Sequence, residues 1–443
     1  MTRACRQAAG LLVVLAALGS VWLGQSRAAG LLTAGDVLTT DIPLSGPGGS
    51  SAKDVAIQVD GSTVVVGTSR CLEPWCEYGS IVRYDANGAL DSSFGAGGIL
   101  SGEASGMSEA NAVAIQSDGA IVVGGVVGAT GVGGEARGGK FGLARYLPAG
   151  SLDSSFGSGG IVHTEFCPEP AAGTVNDLAI QPDGRIVAVG SIRCGQNRAI
   201  AIARYLPNGE PDPAFEKGWV AFDAPGRAHE ELRAVALQPD GKIVAVGGGT
   251  GKLLVIRLNA AGERDTSFGR EGFDESPVFA DAIDPKVKPQ RVNIRVVATA
   301  VAITKAGGII VAGGKDGAEN IGAVIAYRAD GTTDRGFGRH GFAPMPGLFP
   351  LSIARDRCGH YELAGRGSPS LGADVFAVAG LRSDGARRKS ARLIMPFGRA
   401  EKSSAYAIAT GPGRDLTAVG GMPVAGAGEE FALSRLFVTG PHC

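Results

Sequence analysis

Two short apolar strands joined by a tight turn at glycine form a unit that recurs along the chain, and this repetition constrains the fold most strongly. In the first copy, Val55 and Ile57 alternate with Ala56 and Gln58, which is the period of a half-buried strand. The seven turn glycines are Gly61, Gly119, Gly184, Gly241, Gly307, Gly359 and Gly413. Copies spaced by about 60 residues are typical of repeat architectures.

Each unit continues beyond this pair of strands with two further strands. The second strand of the pair follows the turn, as at 186–190, and the third strand ends in Ala-Arg-Tyr, as at 144–146. The motif Leu-Asp-x-x-Phe-Gly then leads to a fourth strand, as at 90–100. No helical periodicity separates these strands, and the 71 glycines suit many tight turns. Seven four-stranded units that bury their faces against one another predict an all-β, seven-bladed propeller.

The phase of the repeat indicates how the ring closes. Residues 34–38 align with 96–100, the fourth strand of a unit, whereas the last copy ends after its third strand, 431–437. We therefore expect residues 34–40 to complete the last blade, which would leave no exposed sheet edge at either end.

The first 28 residues have the character of a secretory signal. Arg3 and Arg6 precede a short apolar run, 11–23, and small residues surround a cleavage point near Ala28. The run is too short for a membrane span, although an N-terminal anchor is the alternative interpretation. This predicts a signal peptide at 1–28, a propeller at 29–443, no membrane span, and export to a periplasm or the extracellular space.

The charge balance limits the classes of partner. The chain has 42 basic and 43 acidic residues, for a formal net charge of −1. This balance argues against a nucleic-acid partner, which normally requires a basic face. It also gives no reason to bind anionic lipid. We expect a monomer without cofactors.

Six cysteines remain after the predicted cleavage, and an even number in an exported chain favours disulfides over free thiols. Cys167 and Cys194 fall on one face of the predicted ring. Cys358 and Cys443 fall on the other, and Cys71 and Cys76 share one loop. The favoured pairing is therefore 71–76, 167–194 and 358–443. A metal cluster is the alternative, but no second pair or nearby His completes a site at Cys71 and Cys76.

Three motifs together, Ala-x-x-Gln-x-Asp-Gly-x-Ile-Val, Ala-Arg-Tyr and Leu-Asp-x-x-Phe-Gly, resemble the delta-60 repeats of exported bacterial proteins. The resemblance is strong in the first four copies and weaker in the last three. The sixth copy departs most, with Cys358 in the turn and Gly380 in place of the Arg. The resemblance implies the repeat architecture and an exported location, and it implies no defined catalytic activity.

An arginine precedes an aspartate by eight residues in four copies, namely Arg83/Asp91, Arg145/Asp153, Arg204/Asp212 and Arg257/Asp265. Such carboxylates could act as general acids or bases. Because the pair recurs, whereas an active site is normally unique, we interpret it as a structural ion pair of the outer turn.

Other possible motifs are weak. Residues 134–140 have the spacing of a phosphate-binding loop, but Phe141 replaces the metal-binding hydroxyl and no helix is expected to follow. The five histidines show no metal-binding spacing. We therefore interpret 134–140 as a flexible blade loop and assign no catalytic residue.

The favoured binding surface is the face on which the first strands begin, at the mouth of the central channel. Five polar residues precede these strands: Lys53, Asn111, Asn176, Arg233 and Thr299. Leu351 and Ala405 hold this position in the last two copies. The longest predicted loops, 67–80, 124–140 and 274–292, surround them, and long loops on a rigid scaffold commonly carry binding sites.

These residues favour a non-catalytic binding scaffold for an unknown protein or glycan, and a rim without a ligand is the plainer alternative. A metal-dependent hydrolase or lactonase is the alternative function, with Asp54 and Asp177 as metal ligands at the mouth. The charges of Lys53 and Arg233 would oppose a cation there.

Overall fold

A computed structural model describes residues 37–40, 42, 49–72, 75–128, 139–168, 171–195, 197–222, 230–248, 253–274, 296–315, 321–367, 375–395, 403–411, 415–424 and 428–437. The predicted signal peptide, the turn glycine Gly413 and Cys443 lie outside these residues, as do most of the 134–140 segment and of the 274–292 loop.

The first half of the chain contains one initial strand and three complete blades. The initial strand is β1 (Val37–Thr40). Blade one comprises β2 (Ser50–Ile57), β3 (Thr63–Leu72), β4 (Trp75–Tyr84) and β5 (Ile99–Leu100), followed by the 3-10 helix η1 (Gly102–Ser105). Blade two comprises β6 (Glu109–Ile115), β7 (Ile121–Val127), β8 (Lys140–Tyr146) and β9 (Ile161–His163). Blade three comprises β10 (Ala171–Ile180), β11 (Ile186–Cys194), β12 (Asn197–Tyr205) and β13 (Trp219–Phe222).

The second half contains three complete blades and three strands of a seventh. Blade four comprises β14 (Glu231–Leu237), β15 (Ile243–Gly248), β16 (Leu253–Leu258) and β17 (Phe273–Asp274). Blade five comprises β18 (Val296–Ile303), β19 (Ile309–Lys315), β20 (Ile321–Tyr327) and β21 (Phe342–Pro346). Blade six comprises β22 (Leu348–Arg355), β23 (Tyr361–Gly367), β24 (Val375–Leu381) and β25 (Arg387–Met395). Blade seven contains β26 (Ser404–Thr410), β27 (Asp415–Val424) and β28 (Gly428–Phe437).

The predicted seven-bladed propeller is confirmed. Each blade is a four-stranded antiparallel sheet in which consecutive strands pair. The first strand of each blade also contacts the first strands of both neighbouring blades, so seven first strands form a closed inner ring. The Asp-Gly turns that begin the hairpins need a left-handed residue, and Gly61 supplies it with a φ of 86°.

The predicted closure of the ring is also confirmed. Strand β1 pairs antiparallel with β28, with Val37 opposite Ser434 and Thr40 opposite Phe431. The initial strand therefore supplies the fourth strand of blade seven, and the two ends of the fold belong to one sheet. This arrangement pairs the outer edge of β28 and removes it as a site of edge-to-edge association.

The hydrophobic core lies between the blades rather than inside any one of them. The described residues form seven apolar clusters, and each draws its residues from two adjacent blades. Val64 and Ile81 of blade one, for example, pack with Val123 of blade two. Burying such a side chain stabilises the fold by roughly 1.5–3 kcal/mol. Because these contacts exist only in the ring, no blade is expected to fold alone.

One of the three predicted disulfides is described completely. Cys167 and Cys194 are bonded, with Cα atoms 6.1 Å apart. The bond ties the segment after β9 to the end of β11, on the face where the sequence placed both residues. Cys76 and Cys358 are also disulfide-bonded, and Cys71 lies directly opposite Cys76 across β3 and β4. The pairings 71–76 and 358–443 stay predictions.

In the parts of the chain that the structure covers, no helix is both long and apolar enough to cross a bilayer.

Candidate functional site

Every first strand contains a β-bulge at the position that the sequence singled out for binding. The register shifts by one residue there, so that one residue of each first strand has no partner in the second strand. The bulged residues are Lys53, Asn111, Asn176, Arg233, Thr299, Leu351 and Tyr406. The sequence interpretation was wrong in two respects: these residues lie within the strands, and Tyr406, not Ala405, occupies the blade-seven position.

A glycine on the second strand makes room for each bulge. In blade four, Gly247 lies opposite Leu232, next to the bulge at Arg233. A Cβ atom added to Gly247 would lie 2.0 Å from the carbonyl oxygen of Glu231. The same clash, at 1.8–2.2 Å, occurs at the equivalent glycines of all seven blades: Gly67, Gly125, Gly190, Gly247, Gly313, Gly365 and Gly420. A glycine inside a strand pattern is a known sign of a bulge, and the sequence interpretation overlooked it.

Three of the five candidate binding residues use their polar side chains to join adjacent blades. Asn111 Nδ2 donates to the carbonyl oxygen of Val175 at 3.1 Å. Asn176 Nδ2 donates to that of Leu232 at 2.7 Å. Thr299 Oγ1 likewise donates to the carbonyl oxygen of Pro350 at 2.7 Å. Each acceptor is the residue before the bulge of the next blade, so these contacts satisfy carbonyls that the bulges release from their own sheets.

The two cationic candidates make different contacts. The ammonium group of Lys53 lies 4.5 Å from the ring centroid of Tyr406, which joins blade one to blade seven. Arg233 forms an ion pair with Glu231 of its own strand, with Nη2 and Oε1 2.7 Å apart. Five of the seven bulged residues thus contact a neighbouring blade, namely Lys53, Asn111, Asn176, Thr299 and Tyr406, and Arg233 pairs within its own strand.

Asp54 and Asp177, the alternative metal ligands, also act between blades. Asp54 accepts hydrogen bonds from the backbone amides of Val55 and of Val113 in blade two, both at 2.8 Å. Asp177 accepts from Leu178 and from Val235 in blade four, again at 2.8 Å. In each carboxyl group, one oxygen therefore accepts from the next residue of the same strand. The other oxygen accepts from a backbone amide of the following blade.

The environment of these two carboxyls favours their protonated forms. Loss of hydration on burial raises the pKa of Asp54 to about 6. Burial, together with the negative charge of Asp54, raises the pKa of Asp177 to about 8. Each shift reflects the cost of an ionised carboxyl in a poorly solvated channel wall.

The repeated Arg–Asp pairs lie on the opposite face, which carries the Asp-Gly turns. Each arginine also donates to a backbone carbonyl of the next blade, and we call this set of contacts a latch. Arg257 Nε donates to Asp265 Oδ2 at 2.8 Å, and Nη1 donates to the carbonyl oxygen of Ala329 in blade five. The guanidinium carbon also lies 4.7 Å from the centroid of the Phe268 ring. Arg83, Arg145 and Arg204 make equivalent contacts. These pairs are structural, as the repetition indicated.

Blade six replaces this latch with another ion pair. Gly380 stands where the arginine would be, opposite Glu362 on the second strand. Arg388 from the fourth strand donates to Glu362 Oε1 at 2.6 Å. Burial raises the pKa of Glu362 to about 7, although the Arg388 charge acts in the opposite direction. The substitution preserves a buried charge pair, so it does not mark an active site.

Within the described ranges, one group of three potential metal ligands comes together: Asp356, Cys358 and His360. Cys358 is disulfide-bonded, so its sulfur is not available as the thiolate that binds metals. Asp356 Oδ2 and His360 Nδ1 lie 3.1 Å apart and form a hydrogen bond. The group therefore offers two ligands rather than a closed tetrahedral set.

A cleft of about 350 Å³ opens between blades two and three on the face where the first strands begin. Glu109 of β6 lines its channel side, and Ser191 of β11 lines the blade-three side. Arg193 and Arg198 lie at the outer end of the hairpin formed by β11 and β12, and both also line the cleft. Its volume falls within the range of small-molecule sites, about 300–1,000 Å³.

The two arginines of the cleft face each other directly. Arg193 is the cross-strand partner of Arg198, and both side chains are exposed. Directly opposed residues place their Cβ atoms about 4.5–5.5 Å apart, and like charges there are destabilising. No acidic side chain among the described residues forms an ion pair with either arginine. The sequence interpretation missed them because they belong to one copy and to no motif.

The disulfide holds this hairpin in place, since Cys194 directly follows Arg193 and is bonded to Cys167. One of the predicted long loops around the mouth, 67–80, is instead largely the hairpin of β3 and β4. At the mouth, the described residues therefore combine a ring of bulges with the disulfide-bonded β11–β12 hairpin, which carries two arginines.

The comparisons with known proteins agree with this architecture. A family described as "Domain of unknown function (DUF5122) beta-propeller" matches residues 58–94, 116–156, 181–215 and 238–268, which lie in blades one to four. None of the curated proteins matches the sequence.

Several solved structures are similar at low identity. They include the polysaccharide lyase Uly1, at 12% identity over 94% of both chains with a TM-score of 0.47. They also include a protein of unknown function from Dyadobacter fermentans, at 11% identity over 92% of this chain and 99% of that one, TM-score 0.45. A third is Chaetomium thermophilum Sqt1 bound to the N-terminus of ribosomal protein L10, at 11% identity over 89% and 98%, TM-score 0.45. We draw no argument about function from these similarities. The family matches in blades one to four thus agree with the β-propeller of seven four-stranded blades that the structure shows.

Proposed function

We propose that this protein is an exported, non-catalytic binding propeller of the delta-60 type, whose ligand site is the cleft between blades two and three. The observation that carries the proposal is the pair of opposed, exposed arginines at the rim of that cleft. The recurring bulges and Arg–Asp pairs serve the ring, whereas Arg193 and Arg198 occur once and form no ion pair with an acidic side chain in the described part of the chain.

The candidate binding residues of the sequence take a different place in this proposal. Asn111, Asn176 and Thr299 donate to backbone carbonyls of the next blade, so they support the wall of the mouth. Lys53 lies against the Tyr406 ring and Arg233 is paired with Glu231, so neither is assigned to the ligand. The ligand, a protein or a glycan, is expected to bind one region of the rim rather than the centre of the channel.

Export is supported by the disulfide between Cys167 and Cys194, because such bonds persist in oxidising compartments. We propose that the protein acts as a monomer in the periplasm or outside the cell, after cleavage near Ala28. Mass spectrometry of the mature protein tests this directly, since retention of residues 1–28 would contradict it.

The alternative is a metal-dependent hydrolase or lactonase that uses Asp54 and Asp177. The pKa of Asp177 is raised to about 8, in part by Asp54, so a cation between the two would relieve their mutual repulsion. Metal analysis of the purified protein separates the two functions. Tightly held, stoichiometric calcium or zinc that is lost in Asp54→Ala and Asp177→Ala would favour the enzyme.

The binding proposal is tested on an array of glycans and peptides, with the intact protein and an Arg193→Gln/Arg198→Gln variant. Binding that the variant loses would support the cleft. The matched control is Arg335→Gln/Arg339→Gln, which removes two exposed arginines from the outer turn of blade five. Binding that survives in the cleft variant, or an array without any bound compound, would overturn the proposal.

A further inference from the structure

The charges of the cleft are separated, and this separation restricts the chemistry of its ligand. The two guanidinium groups lie at the outer end, on the β11–β12 hairpin, whereas Glu109 lies on the inner strand β6. Burial and the nearby charge of Glu77 raise the pKa of Glu109. A ligand that fits both ends presents a negative charge to the two arginines and hydrogen-bond donors to Glu109.

The outer end suits a planar anion. Arginine presents its donors in a flat fork that binds two oxygens at once, and a carboxylate matches this geometry. Two opposed forks can share the two oxygens of one carboxylate, which also neutralises the repulsion between the arginines. The disulfide fixes the hairpin before the ligand arrives, so less conformational freedom is lost on binding.

The inner end suits neutral hydroxyl groups. Glu109 accepts hydrogen bonds when it is ionised, and Ser191 adds a hydroxyl group to the lining. A second negative charge on the ligand would lie beside Glu109, which disfavours multiply charged phosphates. A compact ring that carries one carboxylate and several hydroxyls satisfies both ends at once.

We infer that the cleft between blades two and three binds an acidic saccharide, with the carboxylate of a uronic-acid unit held by Arg193 and Arg198. This inference rests on the proposed function and specifies its ligand class. The cleft volume of about 350 Å³ accommodates one or two sugar rings rather than a long chain.

Calorimetric titration with cellobiouronic acid, a glucuronic acid–glucose disaccharide that carries one carboxylate, tests the inference at pH 7. The intact protein is expected to bind one molecule, and the affinity should fall as salt is added, because exposed charges are screened. The methyl ester of the same disaccharide, which lacks the charge, is expected to bind at least tenfold more weakly. Arg193→Gln/Arg198→Gln should lose at least tenfold in affinity, whereas Arg335→Gln/Arg339→Gln should not change it.

Three results would overturn the inference. They are the absence of binding by cellobiouronic acid, equal binding of the acid and its ester, and wild-type affinity in the Arg193→Gln/Arg198→Gln variant. Tighter binding of tetraglutamate would replace the saccharide with an acidic peptide. A neutral compound from the array that needs both arginines would leave the proposed function intact and remove only the ligand class. If the array retains nothing at all, the proposed function fails as well.

Discussion

The two faces of the propeller use arginine in opposite ways. On the turn face, Arg257 and its three counterparts are buried, paired with aspartate and bonded to the next blade. At the mouth, Arg193 and Arg198 are exposed and face one another. The repeated arginines stabilise the ring, and the unrepeated pair is placed to bind something else. In this fold, recurrence across blades therefore identifies residues of the scaffold.

The largest effect is expected from breaking a latch on the turn face. In Arg257→Met, the Asp265 carboxylate, only 12% exposed at its side chain, loses its cationic partner. Removing one member of a buried pair costs about 3–5 kcal/mol. Chemical denaturation should show a loss of this size with ligand binding retained. An Arg257→Met/Asp265→Asn variant should recover part of it, because no charge is then left unpaired.

A loss below about 1 kcal/mol in Arg257→Met would contradict the latch and weaken the comparison between the two faces. Blade five supplies a natural reference, since Ala326 stands in the arginine position there. Asp334 keeps only the type of backbone hydrogen bond that Asp265 also accepts, from the amide of Gly336 in one case and of Ser267 in the other.

The next largest loss of stability is expected from removing the disulfide beside the channel mouth. Cys167→Ser/Cys194→Ser opens a bond with a sequence separation of 27 residues. In the loop-entropy model this costs at most about 3.5 kcal/mol. We expect a lower melting temperature together with weaker ligand binding, because the arginine hairpin loses its anchor. Unchanged ligand affinity would show that the hairpin is ordered without the disulfide.

A smaller loss is expected from filling the space beside a bulge. In Gly247→Ala, the new Cβ atom would lie 2.0 Å from a backbone carbonyl oxygen, so the strands must separate. Overpacking of this kind typically costs about 1–3 kcal/mol. The control is Ser151→Ala at an exposed turn position, which should leave the denaturation midpoint unchanged. An exposed glycine such as Gly128 cannot serve, because alanine is strained at its φ of 68°.

The faces should also respond differently to pH. On the turn face, a hydrogen bond from Ser155 and the charge of Arg145 lower the pKa of Asp153, so its stabilising contribution is lost as the pH falls below about 4. At the mouth, the pKa of Asp177 is raised to about 8. Its contribution is therefore complete below about 4 and is lost as the pH rises toward 8.

Denaturation at several pH values tests this difference. Between pH 5 and 8, the wild-type unfolding free energy should decline, and Asp177→Ala should flatten the decline. Alanine occupies the equivalent position in blade four, as Ala234, so the fold accepts it. An equally steep decline in the variant would mean that Asp177 is ionised throughout this range.

The repeat predicted the strands, the blade number and the ring closure because alternation and turn glycines are local signals. The bulges were harder to predict, since Lys53 and Asn111 continue an ordinary alternating pattern. The signal was on the partner strand, where a glycine such as Gly247 interrupts an apolar run. In blade seven, Thr410 lies opposite Leu416 and the bulge falls at Tyr406, one residue later than an alignment of the copy on Gly413 predicts.

The site itself depended on three-dimensional placement. Arg193 and Arg198 are five residues apart in a segment without a recognisable motif. The register of the β11–β12 hairpin places them opposite each other. Likewise, Asp54 meets the amide of Val113 across a blade boundary that no sequence spacing reveals. Contacts between blades depend on how the blades are arranged in the ring, so they cannot be predicted from the sequence of a single repeat.

The most direct test of the central claim is the unfolding free energy of the ligand-free Arg193→Gln/Arg198→Gln variant. If these arginines serve binding and not the scaffold, the variant should match the wild type within about 0.5 kcal/mol, or exceed it as the repulsion between them is removed. A loss of several kcal/mol, like that expected for Arg257→Met, would show that the pair belongs to the scaffold and would contradict the account.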